Sequence, residues 1–240
     1  MILITGGTGR LGTALQKIFP YALYPTRKEF DLLNSDQMND FICSKNYEID
    51  TIIHCAAYTN PVNCEEKHLP TIGVNIIGTA NLAELCTIYK IKLVYISTEY
   101  VFDGKKGLYE EDDPVRPINR YACSKLAGEC AVRILDDDKY LIIRCAFNPN
   151  PYGNKMPKDQ YNSAEPIDVI AEKVVHLVES EATGIFHIGG ERHSMYDFAK
   201  QMSPMSDIQE CSRKEMEYNV PKDTSLDTRK YIDLINGKEK

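Results

Sequence analysis

The first nineteen residues constrain this chain more than any other stretch, because an apolar run, a glycine turn and a helix follow one another without a gap. Ile2-Leu3-Ile4-Thr5 reads as a short buried strand, Gly6-Gly7-Thr8-Gly9-Arg10-Leu11-Gly12 as the turn, and the helix then runs to about Phe19. Strand, glycine turn and helix are the context that a dinucleotide fingerprint requires. The spacing Gly6-x-x-Gly9-x-x-Gly12 differs from G-x-G-x-x-G but serves the same physics. Gly6 and Gly9 let the backbone approach a pyrophosphate, whose charge faces the helix N-terminus. Gly12 lets the helix pack closely on the sheet. The plain alternative is an ordinary glycine-rich turn, and the position between strand and helix favours the cofactor.

The segments that follow fit a nucleotide-binding sheet. Residues 21–24 read as a second strand, after which a NAD site often carries an acidic residue for the ribose hydroxyls. Here Thr26-Arg27-Lys28 follows, and two cations suit a 2′-phosphate, so NADPH is expected over NADH, with NADH still admissible. Phe30-Asp31-Leu32 reads as a short extended piece, with Asp31 able to accept from an adenine amino group. Residues 35–46 form a capped amphipathic helix. The strand 50–54 ends in Cys55-Ala56-Ala57-Tyr58-Thr59, whose small residues let a cofactor lie against the strand's carboxyl end. A helix from about 69 to 89 carries Asn75 and Gly78. An Asn in mid-helix is neutral or slightly unfavourable, so Asn75 is expected to be tied to backbone beneath the site.

The strand 92–97 delivers Thr98 to the carboxyl end of the sheet, where open α/β sheets bind ligands. A hydroxyl there can donate to a carbonyl oxygen or to the oxyanion formed from it. A charged, proline-bearing loop over 105–117 leads to a helix from about 119 to 135 and a strand over 140–144. Strands and helices alternate regularly to this point, which predicts an α/β fold with a parallel, doubly wound sheet.

In the helix after residue 119, Tyr121 and Lys125 are four residues apart and share a face. A neighbouring ammonium favours the phenolate, so the pair can form an acid–base group. Spacing alone is weak, since Tyr24–Lys28, Tyr196–Lys200 and Tyr218–Lys222 share it. The nucleotide-binding context before Tyr121 sets it apart.

Beyond Cys145 the texture changes. Residues 148–153 read as a rigid loop, 154–164 are polar without clear period, and a helix (166–180), a strand (184–188) and a capped helix (194–202) precede a tail with a short last helix. The expected division is a dinucleotide-binding domain over 1–147 and a small substrate lobe over 148–240, interleaved with that core in one unit. The net charge of −7 argues against nucleic acid or an anionic membrane as partner. No apolar run reads as a bilayer span and no secretory signal is expected. The eight cysteines form no CxxC pair, which disfavours zinc and disulfide frameworks, so no metal is expected and the thiols read as reduced, in a cytoplasmic protein.

Taken together, these stretches resemble the extended short-chain dehydrogenase/reductases, and most closely their dTDP-4-dehydrorhamnose reductase branch. The resemblance is carried by Thr5–Gly12, by Ala56-Ala57-Tyr58-Thr59 and by Ser97-Thr98-Glu99-Tyr100-Val101-Phe102-Asp103-Gly104. Tyr121-x-x-x-Lys125-Leu126-Ala127-Gly128-Glu129, Gly184-Ile185-Phe186-His187 and Ser225-Leu226-Asp227-Thr228 add to it. It implies a Rossmann domain that binds NADPH and a small lobe that binds a nucleotide-linked 4-keto-6-deoxyhexose, as in deoxysugar and polysaccharide biosynthesis. Hydride would pass to the C4 carbonyl carbon, Tyr121 would protonate the alkoxide, Lys125 would lower the tyrosine pKa and hold the nicotinamide ribose, and Thr98 would orient the carbonyl oxygen. The cofactor residues it implies are Gly6, Thr8, Gly9, Arg10, Leu11, Gly12, Arg27, Lys28, Asp31, Leu32, Ala56, Ala57, Tyr58 and Asn75, with Tyr121 and Lys125. Those implied for the sugar are Thr59, Val62, Glu99, Tyr100 and Phe102. Dimers are common in the superfamily, so a homodimer is admissible.

The chain departs from the family pattern in places. Glu99 stands where Asp is usual, Ala122 where Gly is usual, and Cys145-Ala146-Phe147 where Thr-Ser-Trp is usual. The stretch between Gly153 and Asp168 is shorter than usual, and the missing part ordinarily supplies a helix and much of the sugar-side wall. Two other readings therefore stand beside the reductase. One is a non-catalytic regulatory subunit, since the branch resembles the β subunit of methionine adenosyltransferase. The other is a nucleotide-sugar epimerase or dehydratase, which uses the same Tyr and Lys but retains its NAD.

Overall fold

Alternation of apolar side chains along each strand decides the layering, because successive residues face opposite sides of a sheet. In the computed structural model, which describes residues 1–44, 48–147 and 154–237, the strands β1 (Ile2–Thr5), β2 (Thr51–His54), β3 (Lys92–Thr98) and β4 (Tyr140–Cys145) lie side by side, all parallel. Leu3, Ile52, Leu93, Tyr95 and Ile142 face one layer. Ile4, Ile53, Val94, Ile96, Leu141 and Ile143 face the other. Strands buried on both faces need helices on both, and parallel strands need crossovers that supply them. This is a Rossmann-type fold, as the strand–helix alternation predicted.

One layer is built by α1 (Arg10–Ile18), through Leu11, Ala14 and Leu15. The opposite layer contains α2 (Ser35–Cys43), through Met38. After β2 come the short α3 (Pro61–Glu66) and α4 (His68–Thr71), a π-helical turn over Ile72–Ile77, and α5 (Gly78–Tyr89). Joined, His68–Tyr89 is 22 residues long and matches a bilayer span by length and composition, which the separate runs in the sequence did not suggest. Leu82, Ala83, Leu85 and Cys86 nevertheless pack on the sheet. After β3 and a 3-10 turn over Glu99–Val101, α6 (Arg120–Val132) crosses back to β4, with Val132 in the layer that holds Met38.

The second expected strand is reduced. Only Leu23 bridges to Leu3, with Ile4 N–H donating to Leu23 O at 2.8 Å and Leu23 N–H to Ile2 O at 2.9 Å. Residues 30–32 form no strand, since Asp31 ends a tight local network in place of an extended ladder. The expected end of the second helix at Asn46 and the loop 148–153 lie outside the described residues.

The chain beyond residue 153 serves both layers. Here β5 (Lys155–Pro157) and β6 (Tyr161–Asn162) precede α7 (Ile167–Glu179), which packs beside α1, and β7 (Gly184–Ile188), which joins the main sheet next to β4. Then β8 (His193–Ser194) pairs antiparallel with β6, α8 (Met195–Met202) is capped by Ser194, and β9 (Gln209–Cys211) pairs with β5. These short pieces stand over the carboxyl ends of β3 and β4. A last helix, α9 (Arg229–Ile235), returns Tyr231 to the α1–α7 layer. The tail before it is stitched to the loop after β3: Tyr109 N–H donates to Ser225 O and Asp227 N–H to Tyr109 O, both at 2.8 Å.

Candidate active site

The turn after β1 is shaped by close backbone approach. Gly6 has φ +71°, and a Cβ there would lie 2.6 Å from Ala56 N; a Cβ on Gly12 would lie 2.3 Å from Gly6 O. Gly9 caps α1 with no side-chain hydrogen bond, and the first helical turn carries no acidic residue. Its leading N–H groups therefore face the turn with the positive end of the helix dipole. At the end of β2, His54 is clamped between Thr5 Oγ1 at 2.7 Å and Thr79 Oγ1 at 3.1 Å, which holds the two strand ends together. Burial keeps this imidazole neutral, pushing its pKa down to about 3.

Two cavities meet at this turn and share Gly6, Gly9, Cys55 and Ala57. The first, of about 410 Å³, is lined by Thr8, Arg27, Asp31, Leu32 and Ala56 among others. Arg27 is exposed and its Nε pairs with Asp31 at 3.3 Å. Lys28 lines neither cavity, and its carbonyl accepts from Gln37 Nε2. The second basic residue of the sequence pattern is thus exposed outside both cavities. Asp31 accepts from Leu33 N–H as well as from Arg27, so its carboxylate is partly committed before any adenine arrives.

The second cavity, of about 550 Å³, is lined by Arg10, Leu11, Gly12, Thr59, Thr98, Glu99, Tyr100, Tyr121 and Lys125. Asn119 caps α6 by accepting from Ala122 N–H at 2.8 Å, which fixes where the helix starts and aims Tyr121 into the cavity. Asn75 is buried beneath. Its Oδ1 accepts from Tyr58 N–H at 2.7 Å, and its Nδ2 donates to Tyr58 O and Ser124 Oγ at 2.9 and 2.8 Å. The π-helical turn, a frequent device at functional sites, lets Asn75 fasten the strand end to α6. Asn75 and Tyr58 line neither cavity, so both act from behind the wall.

Two expected sugar contacts move elsewhere. Phe102 is fully buried, stacked on Tyr109 at 4.2 Å with the Arg144 guanidinium 5.2 Å from its ring, because the 3-10 turn over Glu99–Val101 rotates it into the core. Val62 faces neither cavity, and Asn60 and Pro61 take its place. Sequence reasoning missed Asn162, Met195 and Tyr218, which close the sugar side. Asn162 and Tyr218 lie in short aperiodic stretches and Met195 at the start of α8, and the β6–β8 pairing (Asn162↔His193) and the tail loop bring them in.

Electrostatics correct one expectation. Burial, and then the Glu99 carboxylate, push the Tyr121 phenol above its ordinary pKa, while a hydrogen-bond interaction with Thr98 pulls the other way. Lys125 was expected to lower it. Its ammonium instead rests 4.0 Å from the Tyr95 ring centroid, and burial pushes its own pKa down to about 8 against the pull of Glu129. Tyr121 is therefore a phenol at neutral pH, suited to give a proton.

A dinucleotide turn joined to a cavity holding Thr, Tyr and Lys defines the class: a Rossmann-fold nucleotide-binding protein with a short-chain dehydrogenase/reductase type of site. The chain belongs to the RmlD substrate binding domain family, whose model matches residues 1–231. It is 30% identical to a dTDP-4-dehydrorhamnose reductase of Aggregatibacter actinomycetemcomitans, over 97% of this chain and 86% of that one. It is 34% identical to the methionine adenosyltransferase 2 subunit beta of Rattus norvegicus, over 55% of this chain and 42% of that one. The crystal structure of dTDP-4-dehydrorhamnose reductase from Bacillus anthracis in complex with NADP superposes with a TM-score of 0.84 at 27% identity, covering 100% of this chain and 92% of that one.

Proposed function

We propose that this chain reduces the C4 carbonyl of a nucleotide-linked 4-keto-6-deoxyhexose with NADPH, as a reductase of the dTDP-4-dehydrorhamnose type. The observation that carries the reading is the convergence of Thr98, Tyr121 and Lys125 on one cavity that opens into the glycine turn. The glycine cradle and uncapped α1 fit a pyrophosphate, and Arg27 beside the first cavity fits a 2′-phosphate. The nicotinamide supplies the hydride. Tyr121 gives its proton to the developing alkoxide, Thr98 donates a hydrogen bond to the same oxygen, and Lys125 holds the ribose side.

Mixing enzyme and NADPH with a panel of such sugars and following absorbance tests the reading. Oxidation with one member supports it, and no oxidation across the panel sinks it. The match to the methionine adenosyltransferase subunit favours a second reading, a partner-binding role. Tight binding of an adenosyltransferase together with no sugar turnover would select it.

Two variants probe the cofactor side. Gly12→Ala puts a Cβ against Gly6 O and Gly7 Cα, backbone that cannot swing aside. Overpacking of this kind costs about 1–3 kcal/mol, and NADPH affinity is expected to fall by about tenfold or more in a fluorescence titration. Affinity within twofold of wild type would show that the turn does not cradle the cofactor. Arg27→Ala is expected to weaken NADPH about tenfold, the loss of one charge-assisted hydrogen bond, with little change for NADH. Lys28→Ala is expected to leave the ratio of the two affinities unchanged, and the opposite pattern would reassign the 2′-phosphate contact to Lys28.

A further inference from the structure

Glu99 lines the second cavity and takes no part in the hydride and proton transfers above. Glu99 is buried, 5% exposed, at the carboxyl end of β3, one residue beyond Thr98. Thr98 Oγ1 donates to Glu99 Oε2 at 3.0 Å and itself accepts from Tyr100 N–H at 3.3 Å. A hydroxyl has one proton and two lone pairs, so when Glu99 is protonated its O–H donates to Thr98 Oγ1 instead and the Thr98 proton is free to rotate. Tyr121 lines the same cavity as Thr98, and the Thr98 hydroxyl pulls its phenol pKa down. Asn162, from the β6–β8 pair, lines the same cavity and favours the Glu99 carboxylate. Tyr121 on α6, Tyr100 on the turn, Tyr218 on the tail loop and Cys145 at the end of β4 all feel its charge. Lys125 lines the same cavity.

We propose that Glu99 resupplies the proton that Tyr121 gives up, acting through the Thr98 hydroxyl. This rests on the reductase reading. Carbonyl reduction takes a hydride, with its electron pair, at carbon and a proton at oxygen, which leaves Tyr121 as phenolate. The Thr98 O–H proton then passes to the phenolate oxygen as the Glu99 O–H proton passes to Thr98 Oγ1. Glu99 is left as carboxylate and regains its proton from solvent when product leaves. Glu99 is a positioning group in this sense: it touches the reacting atoms only through Thr98. Burial raises its carboxyl to about 7, so the acid form is available near neutrality and is lost as pH rises through that value.

The test compares wild type, Glu99→Gln and Glu99→Asp by kcat and KM against pH, together with infrared difference spectra of the same proteins bound to NADP. Wild-type kcat is expected to fall as pH rises through about 7. Glu99→Gln should lower kcat at pH 6 by about ten- to a hundredfold, the scale of one acid–base contribution. It should lack the limb near 7, and Glu99→Asp should restore a limb. A wild-type profile retained in Glu99→Gln overturns the proposal while leaving the reductase standing. If no sugar is turned over, the reductase reading fails, and the spectra still judge Glu99. A carboxylic-acid carbonyl band that titrates near 7, is absent in Glu99→Gln and shifts in Thr98→Val supports the coupled pair. A band that is missing, or indifferent to Thr98→Val, overturns it. Circular dichroism and NADP titration confirm that each variant is folded.

Discussion

Tyr121→Phe is expected to cut NADPH-dependent sugar reduction by about a thousandfold, within the range of about 10²–10⁴ for loss of a positioned general acid. The substitution removes one oxygen and keeps the ring that meets Tyr100 edge-on, at 6.3 Å between centroids. Packing at the head of α6 is therefore conserved, and neither the melting temperature nor NADPH affinity should move appreciably. The loss should fall on kcat, because the proton is needed only as charge develops on the carbonyl oxygen. The raised phenol pKa adds a direction. A tyrosine that is protonated at neutral pH serves reduction, whereas alcohol oxidation needs the phenolate and should gain as pH rises. Stopped-flow absorbance in both directions checks this. A loss under tenfold in Tyr121→Phe would remove Tyr121 from the acid role and leave Thr98 or Glu99 to be tested in its place.

The second large effect is on stability. Arg144 and Glu129 form a doubly hydrogen-bonded pair, Nε to Oε1 at 3.0 Å and Nη2 to Oε2 at 2.8 Å, with side chains 3% and 1% exposed. Ser97 donates to the same Oε1 at 2.5 Å, and Arg144 Nη1 donates to Glu111 O at 3.1 Å. The network ties β3, β4, α6 and the loop after β3 together just behind the cavity. Removing one partner strands a buried charge, which costs about 3–5 kcal/mol. That is a large part of the roughly 5–15 kcal/mol that holds a domain folded. Arg144→Met is expected to lower the thermal midpoint by about 6–20 °C, at about 2–4 °C per kcal/mol for a chain of this size. The double variant Arg144→Met with Glu129→Leu should recover much of the loss, because it removes both charges. Urea denaturation of the two variants measures this. A single variant that loses less than about 1 kcal/mol would mean that water reaches the pair.

Much of the fold was legible locally. Paired apolar residues such as Leu3-Ile4, Ile52-Ile53 and Leu93-Val94 announce strands buried on both faces, and the glycines after Thr5 place the turn. The reduced strand near Leu23 was harder, because four residues with two tyrosines carry the right composition whether they form a ladder or a single bridge. Phe102 was misplaced for a related reason. Its neighbours Glu99 and Tyr100 do line the cavity, and no sequence period says where a 3-10 turn rotates the next side chain into the core.

The sequence by itself determined the parallel nucleotide-binding core and the positions of Thr98, Tyr121 and Lys125, because periodicity, glycine conformation and motif spacing are properties of adjacent residues. Only the tertiary structure decided that Arg27 lines the first cavity while Lys28 does not, and that Asn162, Met195 and Tyr218 line the second. It also decided that Tyr121 is held as a phenol with Glu99 buried beside it. These depend on segments far apart in the chain excluding water from the same volume, and desolvation is set by everything that surrounds a group rather than by its neighbours in sequence.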